Sequence, residues 1–145
     1  MSIGEAVTKE IEILAAPKKC FEMITDYESY PEWQPAIKAA MILESDSKGR
    51  GKVVEYKLSL LLKTVTYVLE YAYARGNEFS WKSIEGDIKH IEGAYKFTKK
   101  DSKTTLATYT QLVDPGFWVP AKAVDFLSGV AMWESIKVLK ERCEA

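Results

Sequence analysis

Residues 54–73 read Val54-Glu55-Tyr56-Lys57-Leu58-Ser59-Leu60-Leu61-Leu62-Lys63-Thr64-Val65-Thr66-Tyr67-Val68-Leu69-Glu70-Tyr71-Ala72-Tyr73. Apolar and aromatic side chains fall at every second place: Val54, Tyr56, Leu58, Leu60 and Leu62, then Val65, Tyr67, Leu69, Tyr71 and Tyr73. Period two puts one such set on a single face of an extended chain, so the stretch predicts two long strands. No Gly or Pro parts them, and a turn is inferred near Lys63-Thr64 without a turn signal of its own.

The same alternation extends in both directions. Downstream, Gly76-Asn77 marks a turn, and Phe79, Trp81 and Ser83 carry the pattern to Gly86-Asp87. Two more strands, Ile88 to Thr98 and Thr104 to Val113, flank the polar turn Lys99-Lys100-Asp101-Ser102, and Asp114-Pro115-Gly116 stops the second. Gly93, together with the parity change between Ile88 and Ile91, predicts a bulge in the sixth strand. Upstream, Ile37 to Glu44 reads as a strand before the turn Asp46-Ser47-Lys48-Gly49, and Val7, Ile11 and Ile13 mark a strand at the start. Pro17 suits the first turn of a helix, where its missing N–H would be unpaired anyway. Phe21, Ile24 and, more weakly, Cys20 come next at helical spacing, and an irregular helical piece from Tyr27 to Pro35 is kept short by Pro31 and Pro35.

The tail changes period. From Ala121 to Arg142 there is no Pro and a single glycine, Gly129, which allows about 30 Å of helix. Phe126, Val130 and Trp133 share one side; Met132, Ile136, Leu139 and Cys143 share another; Val124, Leu127, Ala131 and Val138 lie between. An apolar surface that wide suits a helix gripped by a curved sheet. The order is strand, two short helices, six strands and one long helix, which predicts one α+β domain over residues 1–145 with a curved antiparallel sheet of about seven strands. Such a sheet wrapped on one helix tends to leave a cavity between them.

Composition agrees with a folded domain and narrows the function. Of the 145 residues, 47% are hydrophobic and 28% charged, which excludes a disordered chain. Lys and Arg number 20 against 21 Asp and Glu, so the basic excess of a dedicated nucleic-acid binder is missing. The chain shows neither a signal-peptide pattern at its start nor an apolar run of membrane-span length, and a soluble, cytoplasmic protein is expected. Cys20 and Cys143 lack partners at metal spacing and are expected as two reduced thiols. No His/Cys cluster, Ser–His–acid order or Gly-rich phosphate loop is present, so no metal or other cofactor is expected. The only histidine, His90, has Lys89 and Ile91 beside it and reads as an exposed strand residue.

Particular residues add a resemblance. The stretch Ala16-Pro17-Lys18-Lys19-Cys20-Phe21-Glu22-Met23-Ile24-Thr25-Asp26-Tyr27-Glu28-Ser29-Tyr30-Pro31-Glu32-Trp33 resembles the opening of the two short helices in the START-like, or SRPBCC, superfamily, with Tyr30-Pro31-Glu32-Trp33 its most specific part. Trp81-Lys82-Ser83-Ile84-Glu85-Gly86 and Gly93-Ala94-Tyr95-Lys96-Phe97 resemble the paired strands later in the same fold. Asp114-Pro115-Gly116-Phe117-Trp118-Val119-Pro120 is similar to a bacterial cyclase/dehydrase-like branch. The resemblance covers nearly the whole chain and implies the helix-grip fold of birch-pollen-allergen-like proteins, polyketide cyclases/dehydrases and coenzyme Q-binding proteins. That fold hosts carriers, lipid-transfer modules and some enzymes, so it specifies architecture better than chemistry.

Strand parity supplies the candidate ligand-binding residues. Tyr56, Tyr67, Tyr71, Trp81, Tyr95 and Tyr109 share the inward parity of their strands, as does Tyr73. For any one of them core packing is the plainer role. As a group, several inward tyrosines suit a cavity with apolar walls and a few hydroxyls to orient a ligand. Gln111 points the same way, and Glu85 shares the parity of Trp81 and Ser83, although a solvated glutamate before the Gly86 turn is the simpler reading. Trp33, Phe117 and Trp118 are placed at the mouth, and Leu127 on the gripped helix. The cavity is expected to measure roughly 300–1,000 Å³. The expected function is binding or transport of a small hydrophobic molecule, such as a lipid, an isoprenoid or a polyketide-like compound. The alternatives are a polyketide aromatase/cyclase and an interaction module presenting Phe126, Val130 and Trp133. The outward lysines read as a solvated face that touches membranes at most transiently, and the oligomeric state is left open.

Overall fold

The computed structural model describes residues 6–60, 62–116 and 129–145. Strand β1 (Val7–Ile13) leads into helix α1 (Pro17–Ile24), a 3-10 helix (Tyr27–Glu32), and then strands β2 (Ile37–Ser45), β3 (Gly51–Leu60), β4 (Lys63–Tyr73), β5 (Glu78–Gly86), β6 (His90–Asp101) and β7 (Thr104–Asp114). Helix α2 (Ala131–Glu144) ends the chain. The seven strands form one curved antiparallel sheet in the order β1-β7-β6-β5-β4-β3-β2, an α+β helix-grip arrangement. Strands β2 to β7 are therefore a meander, and β1 joins its far edge beside β7.

Local chemistry accounts for the element ends. Pro17 occupies the first turn of α1, preceded by extended Ala16, and the Thr25 hydroxyl bonds back to Phe21 O at 2.7 Å where the helix stops. The β2–β3 turn is organised by Asp46, whose Oδ1 accepts from the backbone N–H groups of Lys48 and Arg50, both at 2.9 Å. Strands β3 and β4 pair as far as Leu60 and Lys63, so the chain reverses between those residues, slightly ahead of the Lys63-Thr64 position read from the sequence.

Helix α2 packs on β1, α1 and β7. Its buried residues are Met132, Ile136, Leu139 and Cys143, one of the sides picked out by helical spacing, whereas Val130 and Trp133 are exposed. Leu14 N donates to Glu144 at 2.8 Å and Lys140 donates to Glu12 O at 2.9 Å, which ties the helix end to the end of β1. Beneath it Cys20 and Cys143, distant in sequence, are both free and buried. A hydrogen bond with Cys143 is the main cause that holds the Cys20 thiol below its usual pKa.

One sequence expectation needs correction. Strand β6 has no bulge near Gly93: its ladder with β7 runs without a slip from His90 to Lys99. The parity change came instead from the bend before β6, which carries buried Ile88. The irregularity lies in β5, where Val68 pairs with Glu85 and Leu69 with Ser83, leaving Ile84 as an extra residue. A bulge of this kind reverses the facing of the residues beyond it. Glu85 is accordingly exposed, a solvated residue before the Gly86 turn as the simpler reading expected.

Candidate functional site

The sheet register assembles the site in cross-strand rows. Tyr71, Trp81, Gly93 and Gln111 are successive partners across β4, β5, β6 and β7. A second row joins Tyr73, Phe79, Tyr95 and Tyr109, and Tyr56 faces Tyr67 across β3 and β4. Because Gly93 has no side chain, the Trp81 indole lies across β6 and its Nε1 donates to Gln111 Oε1 at 3.1 Å. Tyr95 and Tyr109 stack at 4.6 Å with 15° between their planes, and Trp81 sits about as far from both, at 6.0 and 5.9 Å.

Between these rows and α2 lies a cavity of about 150 Å³. Tyr56, Tyr67, Tyr71 and Trp81 line it, as do Tyr95, Tyr109 and Gln111, so these candidate residues come together in one place. The volume is smaller than the sequence reading expected. Inward rings from five adjacent strands, β3 to β7, occupy much of the space that smaller side chains would leave open. No charged side chain is found among the described lining residues.

The polar atoms of the wall are mostly paired with one another. The Tyr56 and Tyr71 hydroxyls share a hydrogen bond of 2.7 Å, and the Tyr30 hydroxyl donates to Ile24 O. Tyr73 is drawn away from the cavity: its hydroxyl donates to Gly51 O at 2.6 Å and lies 2.8 Å from that of Tyr27. Burial pushes the hydroxyls of Tyr56, Tyr67, Tyr71, Tyr95 and Tyr109 well above the usual tyrosine range, so each is a neutral group near pH 7.

Trp33 is not among the residues that line the cavity. Its ring meets Tyr30 edge-on at 5.5 Å, Arg142 lies over it at 5.2 Å, and its Nε1 reaches Ser29 Oγ at 3.3 Å. These contacts hold Trp33 beside the 3-10 helix, and the next residue, Gln34, turns inward in its place. Phe117, Trp118 and Leu127, and with them Phe126, lie outside the described residues.

The polyketide cyclase / dehydrase and lipid transport family matches residues 13–132, most of the chain. The chain belongs to this family. Among solved structures, a START superfamily protein from Mycobacterium smegmatis is 24% identical, with 97% of this chain and 98% of that one covered and a TM-score of 0.88. The Zhui aromatase/cyclase from Streptomyces sp. R1128 is 16% identical, with 97% and 93% covered and a TM-score of 0.80. A STAR-related lipid transfer protein from Xanthomonas axonopodis is 15% identical, with 99% and 88% covered and a TM-score of 0.76. No curated protein matches the chain. At these identities the solved structures establish the START-like fold. The polyketide cyclase / dehydrase and lipid transport family spans both chemistry and carriage in its own description, so the choice between them rests on this member's cavity.

Ser135 and Gln34 are among the lining residues that the sequence reading did not name as candidates. Ser135 was legible, since it lies three residues after Met132 and four before Leu139, on the buried face of α2. Gln34 was not: it stands between Trp33 and Pro35 in irregular chain, where no period assigns a direction. Among the described residues no helix is long and apolar enough to cross a membrane.

Proposed function

We propose that the protein binds and carries a small hydrophobic molecule in the cavity between the sheet and α2. The supporting observation is a partly open space of about 150 Å³ walled by aromatic rings and neutral hydrogen-bonding groups. A cavity of that size holds about one benzene-sized ring. The ligand is therefore a single-ring compound, or a longer lipid, isoprenoid or polyketide-like molecule of which one segment is enclosed. Tyr56, Tyr67, Tyr71, Trp81, Tyr95, Tyr109 and Gln111 form its contact surface. Carriage is favoured over cyclase chemistry because the described wall offers high-pKa tyrosines and amides, with no side chain poised to exchange protons near neutral pH.

Native mass spectrometry of freshly purified protein should reveal a co-purified apolar molecule and count subunits in the same spectrum. Ala131→Phe adds a ring at the cavity wall and should weaken binding of a single-ring hydrophobic probe roughly tenfold or more. Equal binding by the variant and the original protein would place the ligand elsewhere. Recovery of a polyketide-type chain in cyclised form after incubation would favour the enzyme.

A further inference from the structure

Two deeply buried groups of the cavity have no partner among the described residues. Gln34 is 8% exposed and Tyr95 3%, yet Gln34 Nε2 and the Tyr95 hydroxyl find no hydrogen-bond partner among the described residues. Buried polar atoms are rarely left unmet, and each exception calls for an explanation. Here the exceptions coincide, because both side chains line the same cavity.

Both are held in place. Ser135 Oγ donates to Gln34 Oε1 at 2.6 Å, which leaves the Nε2 edge of the amide as the one without a partner, and the Gln34 backbone is anchored to Tyr30 O at 2.8 Å. Ser135 also stands close enough to the Tyr95 hydroxyl to favour its ionised form, against the larger opposing effect of burial, but the two do not meet in hydrogen-bond geometry. The Tyr95 ring is fixed by stacking on Tyr109 at 4.6 Å and Phe97 at 5.4 Å. The segment after the 3-10 helix and strand β6 therefore bring two rigid donors to one cavity, with Ser135 of helix α2 holding the first of them. Elsewhere in the wall the Tyr56–Tyr71 and Trp81–Gln111 pairs satisfy one another.

The chemistry of the pair narrows the ligand. An amide NH₂ only donates, and a neutral phenol donates one hydrogen bond. An anion placed there would be buried without a counter-charge among the described lining residues, which is strongly unfavourable. A pure hydrocarbon would leave both donors unmet. An uncharged oxygen with two lone pairs accepts from both. The geometry points to a carbonyl-binding subsite, in which Gln34 Nε2 and the Tyr95 hydroxyl donate to the ketone- or quinone-type oxygen of a ligand whose ring lies against Tyr71, Trp81 and Tyr109. This rests on the proposal that the cavity holds a hydrophobic molecule, and it adds the functional group by which that molecule is oriented.

The test compares acetophenone with isopropylbenzene, a hydrocarbon of matched shape, and with benzoate, by titration calorimetry on the full chain. The ketone-to-hydrocarbon affinity ratio should fall roughly five- to tenfold in Tyr95→Phe and again in Gln34→Met, while isopropylbenzene binds the variants no more weakly than the original protein. Benzoate should bind weakest. The carbonyl stretch of bound acetophenone should lie below its value in an apolar solvent and move back up in each variant. Tyr95→Phe should leave the ligand-free protein as stable as before or more so, because it removes an unmet donor. An unchanged ratio in both variants, or a carbonyl stretch matching that in an apolar solvent, overturns the subsite and leaves the hydrophobic-binding proposal standing. Failure of both acetophenone and isopropylbenzene to bind the original protein overturns both.

Discussion

By about pH 11 the protein is expected to have lost on the order of 8 kcal/mol of its neutral-pH stability and to unfold, with tyrosinate absorbance rising in the same step. Tyr27, Tyr56, Tyr67, Tyr71, Tyr95 and Tyr109 are all buried in the fold. Burial is the leading cause that raises the pKa of each. In the unfolded chain the same phenols ionise near pH 10. A group whose pKa is raised by folding contributes its full stability below the unfolded value and loses it as the pH climbs beyond. Above about pH 10 the unfolded state holds fewer protons than the folded one, so stability falls by roughly 1.4 kcal/mol per pH unit for each such tyrosine. Six of them acting together match the whole stability of a typical domain, roughly 5–15 kcal/mol. Circular dichroism and tyrosinate absorbance measured against pH check this. Coincident, cooperative transitions are expected. Gradual ionisation near pH 10 with the dichroism unchanged would mean that the phenols are accessible in the folded state and that the aromatic wall is not closed.

Gly93→Ala should cost about 3 kcal/mol, the upper part of the range for overpacking a core. A Cβ at position 93 would stand 2.5 Å from Trp81 Cζ2 and 2.6 Å from Thr110 O. The carbonyl belongs to the neighbouring strand and cannot swing aside. The indole is held by its 3.1 Å bond to Gln111 and by rings on both sides, Tyr71 at 6.1 Å and Tyr109 at 5.9 Å. Accommodating the methyl group therefore means separating β6 from β7 or pushing Trp81 into the cavity, so ligand affinity should fall along with stability. Urea denaturation measures the first effect and probe titration the second. In a Trp81→Leu background the same substitution should cost less, with the carbonyl conflict remaining. A loss below about 1 kcal/mol in the original background would show that the indole does not depend on the gap at Gly93.

The parts of the fold that could be read in advance are those where one period governs a long run. In Val65 to Tyr73 alternation alone settles that Tyr67 and Tyr71 face one way, because successive residues of a strand point to opposite faces. The same logic on a helix picked out Met132, Ile136, Leu139 and Cys143. Where the period is interrupted, the reading fails. One extra residue at Ile84 turns Glu85 outward against its strand parity, and only its place before the Gly86 turn, not the period, pointed that way. In the irregular chain after the 3-10 helix, Trp33 drew attention by its size, but the cavity took Gln34.

Composition and local spacing determined the α+β class, the strand order along the chain, the aromatic character of the inner face and the buried side of α2. These depend only on near neighbours, whose directions the backbone period dictates. The tertiary structure decided which residues from different strands stand together: Trp81 over Gly93 against Gln111, and Tyr95 beside Ser135 and Gln34. Such meetings depend on strand register and on how far the sheet curves onto the helix, and both arise from packing across the whole core. For the same reason the cavity volume could not be read in advance, since it is the small difference between the space the sheet encloses and the volume of the rings that fill it.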